Sequence, residues 1–170
     1  RRVELRDPRA GKASLHRNYL APSYMTAAAG EAEALDLLLK VAALGSTSRL
    51  YRGLVMDGKV ASSAGGYYSG GGRDSGRIGL YAIAADGVPL DKLEQALDAV
   101  LRDIRDNGVT EAELARAKTA YLADYIYESD NQNSLARRYG GSLVVGATVA
   151  DVEAWPDRIA KVTLADLKKA

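Results

Sequence analysis

Residues 59–84 read KVASSAGGYYSGGGRDSGRIGLYAIA. Lys59 to Tyr68 is a run of small residues that ends on two tyrosines. Arg77 to Ala84 sets Ile78, Leu80 and Ala82 against Gly79, Tyr81 and Ile83, a strict period of two. Two such runs on either side of a glycine-rich stretch, Ser69 to Gly76, predict antiparallel strands joined by a hairpin loop. The glycines at 70, 71, 72 and 76 serve the turn, because they lack the strand–turn–helix setting in which glycines cradle phosphate.

The flanks extend this hairpin. On its N-terminal side Ser14 to Leu20 alternates, with Leu15, Arg17 and Tyr19 on one face, and Pro22 closes the run. Val3 to Leu5 alternates briefly and predicts a short strand. Glu31 to Leu44 has Leu35, Leu38, Leu39 and Ala42 at helical core spacing, with Gly45 as its C-cap. Ser48 caps a second, short helix that runs through Met56 and stops before Gly58. On the C-terminal side Pro89 opens a helix whose apolar stripe is Leu93, Ala96, Leu97, Val100, Leu101 and Ile104, ended by Asn107-Gly108. Thr110 and Glu113 form a capping box for the next helix, lined by Leu114, Ala117, Tyr121, Leu122, Tyr125 and Ile126. Asp130 starts another, through Leu135, Ala136, Tyr139 and Leu143. Thr148 with Asp151, and Thr163 with Asp166, start two short terminal helices. Strands, two helices, a hairpin and then helices make an α+β fold, with a mostly antiparallel or mixed sheet covered by helices on one face. A βαβα alternation is missing, which argues against a doubly wound parallel sheet.

The 170 residues fit one domain, taken as residues 1–170. Their 47% hydrophobic and 26% charged content is that of a globular chain. A net charge of +1 argues against a nucleic-acid surface, and the basic patches Arg1-Arg2, Arg137-Arg138 and Lys168-Lys169 read as solvated faces or ends. With no cysteine, disulfides, thiol catalysis and Cys-ligated metals are excluded. No apolar run is long enough to span a membrane. The chain opens on Arg1, which suggests a fragment of a longer polypeptide. Its Ala-, Gly- and Arg-rich composition is compatible with a bacterial source, with cytoplasm or periplasm left open.

Gly53 to Lys59 (GLVMDGK) resembles a Walker phosphate loop, but a helix precedes it, a strand follows it, and Val60 stands where a magnesium-holding hydroxyl is needed. It reads as helix end, turn and strand start. His16 is the only histidine, and its strand neighbours Ser14 and Asn18 are not strong ligands, so a zinc site within this chain is not expected. A serine triad would have to use His16, and no G-x-S-x-G elbow is present. Glu31 and Glu33 fall on different faces of one helix and read as surface charge. Tyr121 and Tyr125, four apart, belong to a core stripe. Tyr67-Tyr68 at a strand end read first as packing, with a binding surface as the second reading. No catalytic or metal-ligating residue is assigned in this chain.

Five blocks carry more specific information: Leu20-Ala-Pro22; Glu31-Ala-Glu-Ala-Leu35-Asp-Leu-Leu38; Leu44-Gly45-Ser-Thr-Ser48-Arg49-Leu50-Tyr51; Gly108-Val-Thr-Glu111-Ala-Glu-Leu114-Ala-Arg-Ala-Lys118; and Val162-Thr163-Leu-Ala-Asp166-Leu167. In this order they resemble the C-terminal, zinc-free domain of the pitrilysin/insulinase family of zinc metallopeptidases, from about Ala13 to the end of the chain. The resemblance implies homologous α+β domains arranged as a clamshell. An inverted H-x-x-E-H zinc motif and its general base lie in the other, N-terminal domain. This chain would close the chamber and support a peptide substrate, without cleaving anything alone. The zinc would be bound outside this segment.

One departure from the family pattern bears on partners. Active C-terminal domains carry an Arg seven residues after the Ser of S-R-L, and a Tyr seven residues further on. Counted from Ser48, those positions hold Val55 and Ser62, so both substrate contacts are expected to be lost. Two-subunit members of the family divide the parts, one subunit holding zinc and the other supplying the Arg/Tyr pair. The implied partners are therefore the N-terminal peptidase domain, a homologous second subunit and a peptide. The competing readings are a scaffold subunit of the same fold without activity, and an unrelated ferredoxin-like ligand-binding module.

Overall fold

The computed structural model describes residues 2–7 and 9–170; Arg1, part of one basic patch, lies outside them. The elements are β1 (Ser14–Ala21), α1 (Glu31–Ala42), α2 (Arg49–Tyr51) running into a π-helical turn (Arg52–Asp57), β2 (Ala61–Ser69), β3 (Gly76–Ala84), α3 (Leu90–Asn107), α4 (Glu111–Ser129), α5 (Gln132–Val144), α6 (Val149–Glu153), α7 (Trp155–Lys161) and α8 (Leu164–Lys169). The fold is α+β, as the patterning predicts. The sheet is antiparallel with order β1-β3-β2. Val3 to Leu5 forms no strand: it is exposed and belongs to no sheet among the described residues.

Register fixes which residues share a face. Leu15, Ala82 and Ala64 lie in one row and Arg17, Leu80 and Gly66 in the next. These rows face the main core, with Leu39, Ala42 and Ala43 at the end of α1, Leu50 and Leu54, and Leu93 and Leu97 of α3. The opposite face carries His16, Tyr81 and Gly65 in one row and Asn18, Gly79 and Tyr67 in the next. Here each tyrosine ring lies over a glycine two strands' width of backbone would otherwise expose: Tyr67 over Gly79, and Tyr81 over Gly65. Aromatic cover of cross-strand glycines stabilises a face without helices. Ser62 is the extra residue of a β-bulge between Ala61 and Ser63, and its hydroxyl donates toward the carbonyls of Ile83 and Ala84.

Helix α1 is buried on two sides. Its Ala34, Leu37 and Val41 join a second core with Leu114 and Ala117 of α4, Ile159 of α7, Val162 and Leu167. The three Thr boxes are all formed: Thr110 with Glu113, Thr148 with Asp151 and Thr163 with Asp166. Ser48 caps α2 through its oxygen, 3.3 Å from the Tyr51 N–H. The segment after Ser48 keeps the expected extent, but from Arg52 it widens into a π turn in which the Gly58 N–H reaches Gly53 O at 3.0 Å. Gly53 leaves room there for α3, since a Cβ would lie 2.9 Å from Val100. The helical turn and following strand around Lys59 match the non-nucleotide reading of that stretch.

Two boundaries differ from expectation. Helix α1 ends at Ala42 with Ala43 as its C-cap, short of Leu44 and Gly45. Helix α5 starts one residue later than Asp130 implies, because Asn131 Oδ1 accepts from the Asn133 and Ser134 N–H groups at 2.9 and 3.2 Å. Its periodic residues are not fully buried: Leu135 and Tyr139 are half-buried, and Ala136 and Leu143 are exposed.

Candidate functional site

A cleft of about 840 Å³ opens where the 22–30 loop, the hairpin loop, α4, α5 and α7 converge. Its floor is Asp36, on the α1 side that faces neither core. The carboxylate accepts from the Tyr24 hydroxyl on Oδ2, and Tyr24 in turn accepts from the Trp155 indole N–H at 2.8 Å. The 22–30 loop is set for this by Ser23, fully buried, whose N–H and hydroxyl both engage Thr26, and by the Tyr24 N–H on Gly70 O at 2.9 Å. The last contact ties the loop to the hairpin tip.

The walls are aromatic. Trp155 meets Tyr121 edge-on at 5.9 Å and stacks on Tyr125 at 5.7 Å, and the Arg138 guanidinium lies 3.9 Å from the Tyr125 ring centroid. Tyr68 projects from β2 to the same side and donates to Pro22 O at 2.5 Å. Of the two adjacent tyrosines, Tyr67 is exposed and lies over Gly79, while Tyr68 both packs against the main core and lines the cleft.

Burial pushes the Asp36 carboxyl up to about 6; the Tyr24 hydrogen bond partly offsets this, and Glu33 adds a like charge. Burial raises Tyr24, with the Asp36 charge adding to it, and raises Tyr121 as well. The Tyr68 phenol is pushed up to about 12, chiefly by burial and then by Asp36.

Glu33 corrects the surface-charge reading of the Glu31/Glu33 pair. It is 3% exposed and accepts from Arg158 Nε at 2.6 Å, one turn of α1 away from Asp36. Removing Arg158 would leave the buried Glu33 charge uncompensated. Glu31 instead accepts from the Ala28 N–H at 2.8 Å, at the entrance of α1.

The positions singled out in the sequence lie elsewhere. Val55 is half-buried against the main core from the π turn. Ser62 sits on the β2 bulge, and His16 is exposed on the helix-free sheet face. None of the three borders the cleft. Tyr24, Asp36 and Trp155, which do, are assigned no role by sequence patterning. Asp36 alone had a local signal: it is the single acid inside Leu35-Asp-Leu-Leu-Leu39.

Zinc, which the family resemblance implies, does not fit this chain. Among the described residues no three His, Cys, Asp or Glu side chains converge, and the lone imidazole is on another face. A half-buried carboxylate between aromatic walls is an arrangement that suits binding. Among the described residues no helix is long and apolar enough to cross a membrane.

The comparisons agree with the resemblance. No curated protein sequence matches the chain. Solved structures do. A protease from Helicobacter pylori has a TM-score of 0.83 at 20% identity, covering 92% of this chain and 36% of its own. The inactive peptidase domain of a Bordetella parapertussis protein has a TM-score of 0.80 at 22% identity, covering 98% and 87%. A chain of complex III2 from Candida albicans has a TM-score of 0.77 at 17% identity, covering 98% and 41%. At these identities the likeness is one of fold, and this chain spans about a third of the H. pylori chain. The family model described as the peptidase M16 inactive domain matches residues 2–121. That match takes in most of the chain, including the S-R-L-Y and G-V-T-E blocks, and so this chain belongs to the inactive-domain group of the M16 zinc peptidases.

Proposed function

We propose that residues 1–170 are a single C-terminal, non-catalytic domain of a longer zinc metalloendopeptidase, which closes the proteolytic chamber and supports the peptide. In this reading zinc and its general base belong to an N-terminal domain of the same polypeptide. The observation that carries it is the use made of the two family contact positions. Val55 packs its isopropyl group on the core, and the Ser62 hydroxyl is taken up by the carbonyls of its own hairpin. Neither offers a donor of the reach of an Arg or a Tyr. A homologous second subunit supplying that pair would complete the site, making the longer chain the zinc-bearing partner of a two-subunit enzyme.

A second reading, a structural subunit without proteolysis, is favoured by the likeness to the complex III2 chain. Joining this chain to the sequence that precedes it in the same reading frame separates the two. The expected product carries one zinc and hydrolyses a fluorogenic peptide only with the second subunit present. A product without H-x-x-E-H and without zinc would leave the structural reading standing. Val55→Arg with Ser62→Tyr in the isolated chain is expected to yield no hydrolysis.

A further inference from the structure

We propose that the cleft takes the side chain of a lysine from an extended peptide, its stem against Trp155, Tyr121 and Tyr125 and its ammonium on the free oxygen of Asp36. That peptide is a substrate only if the peptidase reading above holds; binding by this chain does not depend on it.

Charge selects the ligand. Five carboxylates and three guanidiniums line the cleft, an excess of two negative charges. The other acids around Asp36 are occupied: Glu33 by Arg158 at 2.6 Å, Glu128 by Arg138 at 2.9 Å and Asp124 by Lys40 at 3.6 Å; Asp151 caps Thr148. Arg137 is an exposed cation at the rim. Asp36 has no ion-pair partner among the described residues. Among the described residues its carboxylate takes one hydrogen bond, on Oδ2 from Tyr24, while the Tyr121 hydroxyl donates to the Asp36 backbone carbonyl at 3.3 Å. Among the described residues no fully buried side-chain oxygen lacks a partner, so Oδ1, which has none, keeps solvent contact at a residue that lines the cleft. A half-buried carboxylate with one oxygen engaged and one open can take a donor from a ligand, and charge in a partly desolvated aromatic pocket strengthens that bond.

The same geometry chooses among cations. A guanidinium binds a carboxylate best through two parallel bonds, and Tyr24 already holds one of the two oxygens. An ammonium is a point donor and needs only one. A lysine also brings a four-carbon stem that lies along apolar rings while its head stays polar. A peptide N-terminus has no such stem, and would bring backbone amides against the rings instead.

Trp155 is the only tryptophan, so its fluorescence reports on the cleft directly. The probe is a blocked pentapeptide, acetyl-Ala-Ala-Lys-Ala-Ala-amide, titrated into the 170-residue chain at neutral pH. A saturable change is expected, weakened at least about tenfold when norleucine replaces the lysine or when Asp36→Asn is used. The arginine peptide should bind more weakly than the lysine peptide, and a free-amine norleucine peptide no better than its blocked form. Thermal melting verifies that the variant is folded. Equal binding of norleucine, or of Asp36→Asn, would reduce the cleft to an apolar groove and end the proposal. So would tighter binding of arginine, binding through the free N-terminus, or no response up to about 1 mM peptide. None of these results bears on whether a neighbouring domain cleaves peptides.

Discussion

Asp36→Asn should stabilise the protein, and by an amount that depends on pH. In the fold the carboxyl titrates near 6, against 3.8 as its ordinary value. The difference of roughly two units corresponds to about 3 kcal/mol at full ionisation. Because the pKa is raised on folding, the folded state holds the proton more tightly and ionisation favours the unfolded chain. The penalty is absent below about pH 3.8, grows between there and about 6, and is complete above. Asparagine keeps an oxygen to accept from Tyr24 and carries no charge at any pH. Residual solvent contact makes 3 kcal/mol an upper figure, so a gain of about 2–3 kcal/mol is expected near pH 7.5, or about 5–10 °C in Tm for a chain of this length. Near pH 4 the two proteins should differ little. Urea unfolding followed by circular dichroism at both pH values measures this. A variant less stable than its parent at pH 7.5 would refute the reasoning, and so would a gain of equal size at both pH values, which would point to packing and not charge.

Gly66→Ala should destabilise by about 2–3 kcal/mol in urea unfolding; the new Cβ would lie 2.6 Å from Leu80, 2.7 Å from Gly79 O and 2.8 Å from Ala43, with backbone on one side that cannot turn away. Arg49→Ala should cost about 1–2 kcal/mol at neutral pH, because Arg49 joins Asp103 of α3 at 3.0 Å to Glu113, the capping residue of α4, at 2.6 Å. The Arg49 hydrogen bond holds the Glu113 carboxyl down to about 2, below its ordinary 4.5, so this contribution is present above about 4.5 and fades as pH falls toward 2; the variant's deficit should shrink with it. Equilibrium dialysis should find no stoichiometric zinc on the 170-residue chain, and one zinc retained per chain would overturn the assignment of the metal to another domain. In hydrogen exchange the amides of α5, which buries no residue, should open well before those around Leu114 and Ala117 of α4, and equal protection of the two helices would show that α5 is anchored by more than the contacts described.

What the sequence reveals, and what it hides, divides by how far apart the interacting parts lie. The hairpin, the three Thr boxes and the stripes of α1, α3 and α4 are local patterns, so period and cap chemistry are enough to find them. The cleft is not local. Trp155 reaches Tyr24 across 131 positions, and Arg158 reaches Glu33 across 125. No spacing rule connects such pairs. Glu33 reads as surface charge because a helix with one apolar stripe leaves its other faces to water. Helix α1 is instead enclosed between two cores, so its polar positions either find buried partners, as Glu33 does, or point into a cavity, as Asp36 does. Helix α5 misleads in the opposite sense. Leu135, Tyr139 and Leu143 have the right spacing for burial, yet the first two are only half-buried and Leu143 is exposed. Apolar periodicity states which face of a helix can be buried; whether it is buried depends on a second surface. In α5 that stripe belongs to the same helix whose Arg138 stacks on the cleft wall, held there by the Tyr125 ring, the Tyr125 carbonyl and Glu128. One wall of the cleft is thus positioned by polar and stacking contacts rather than by a core.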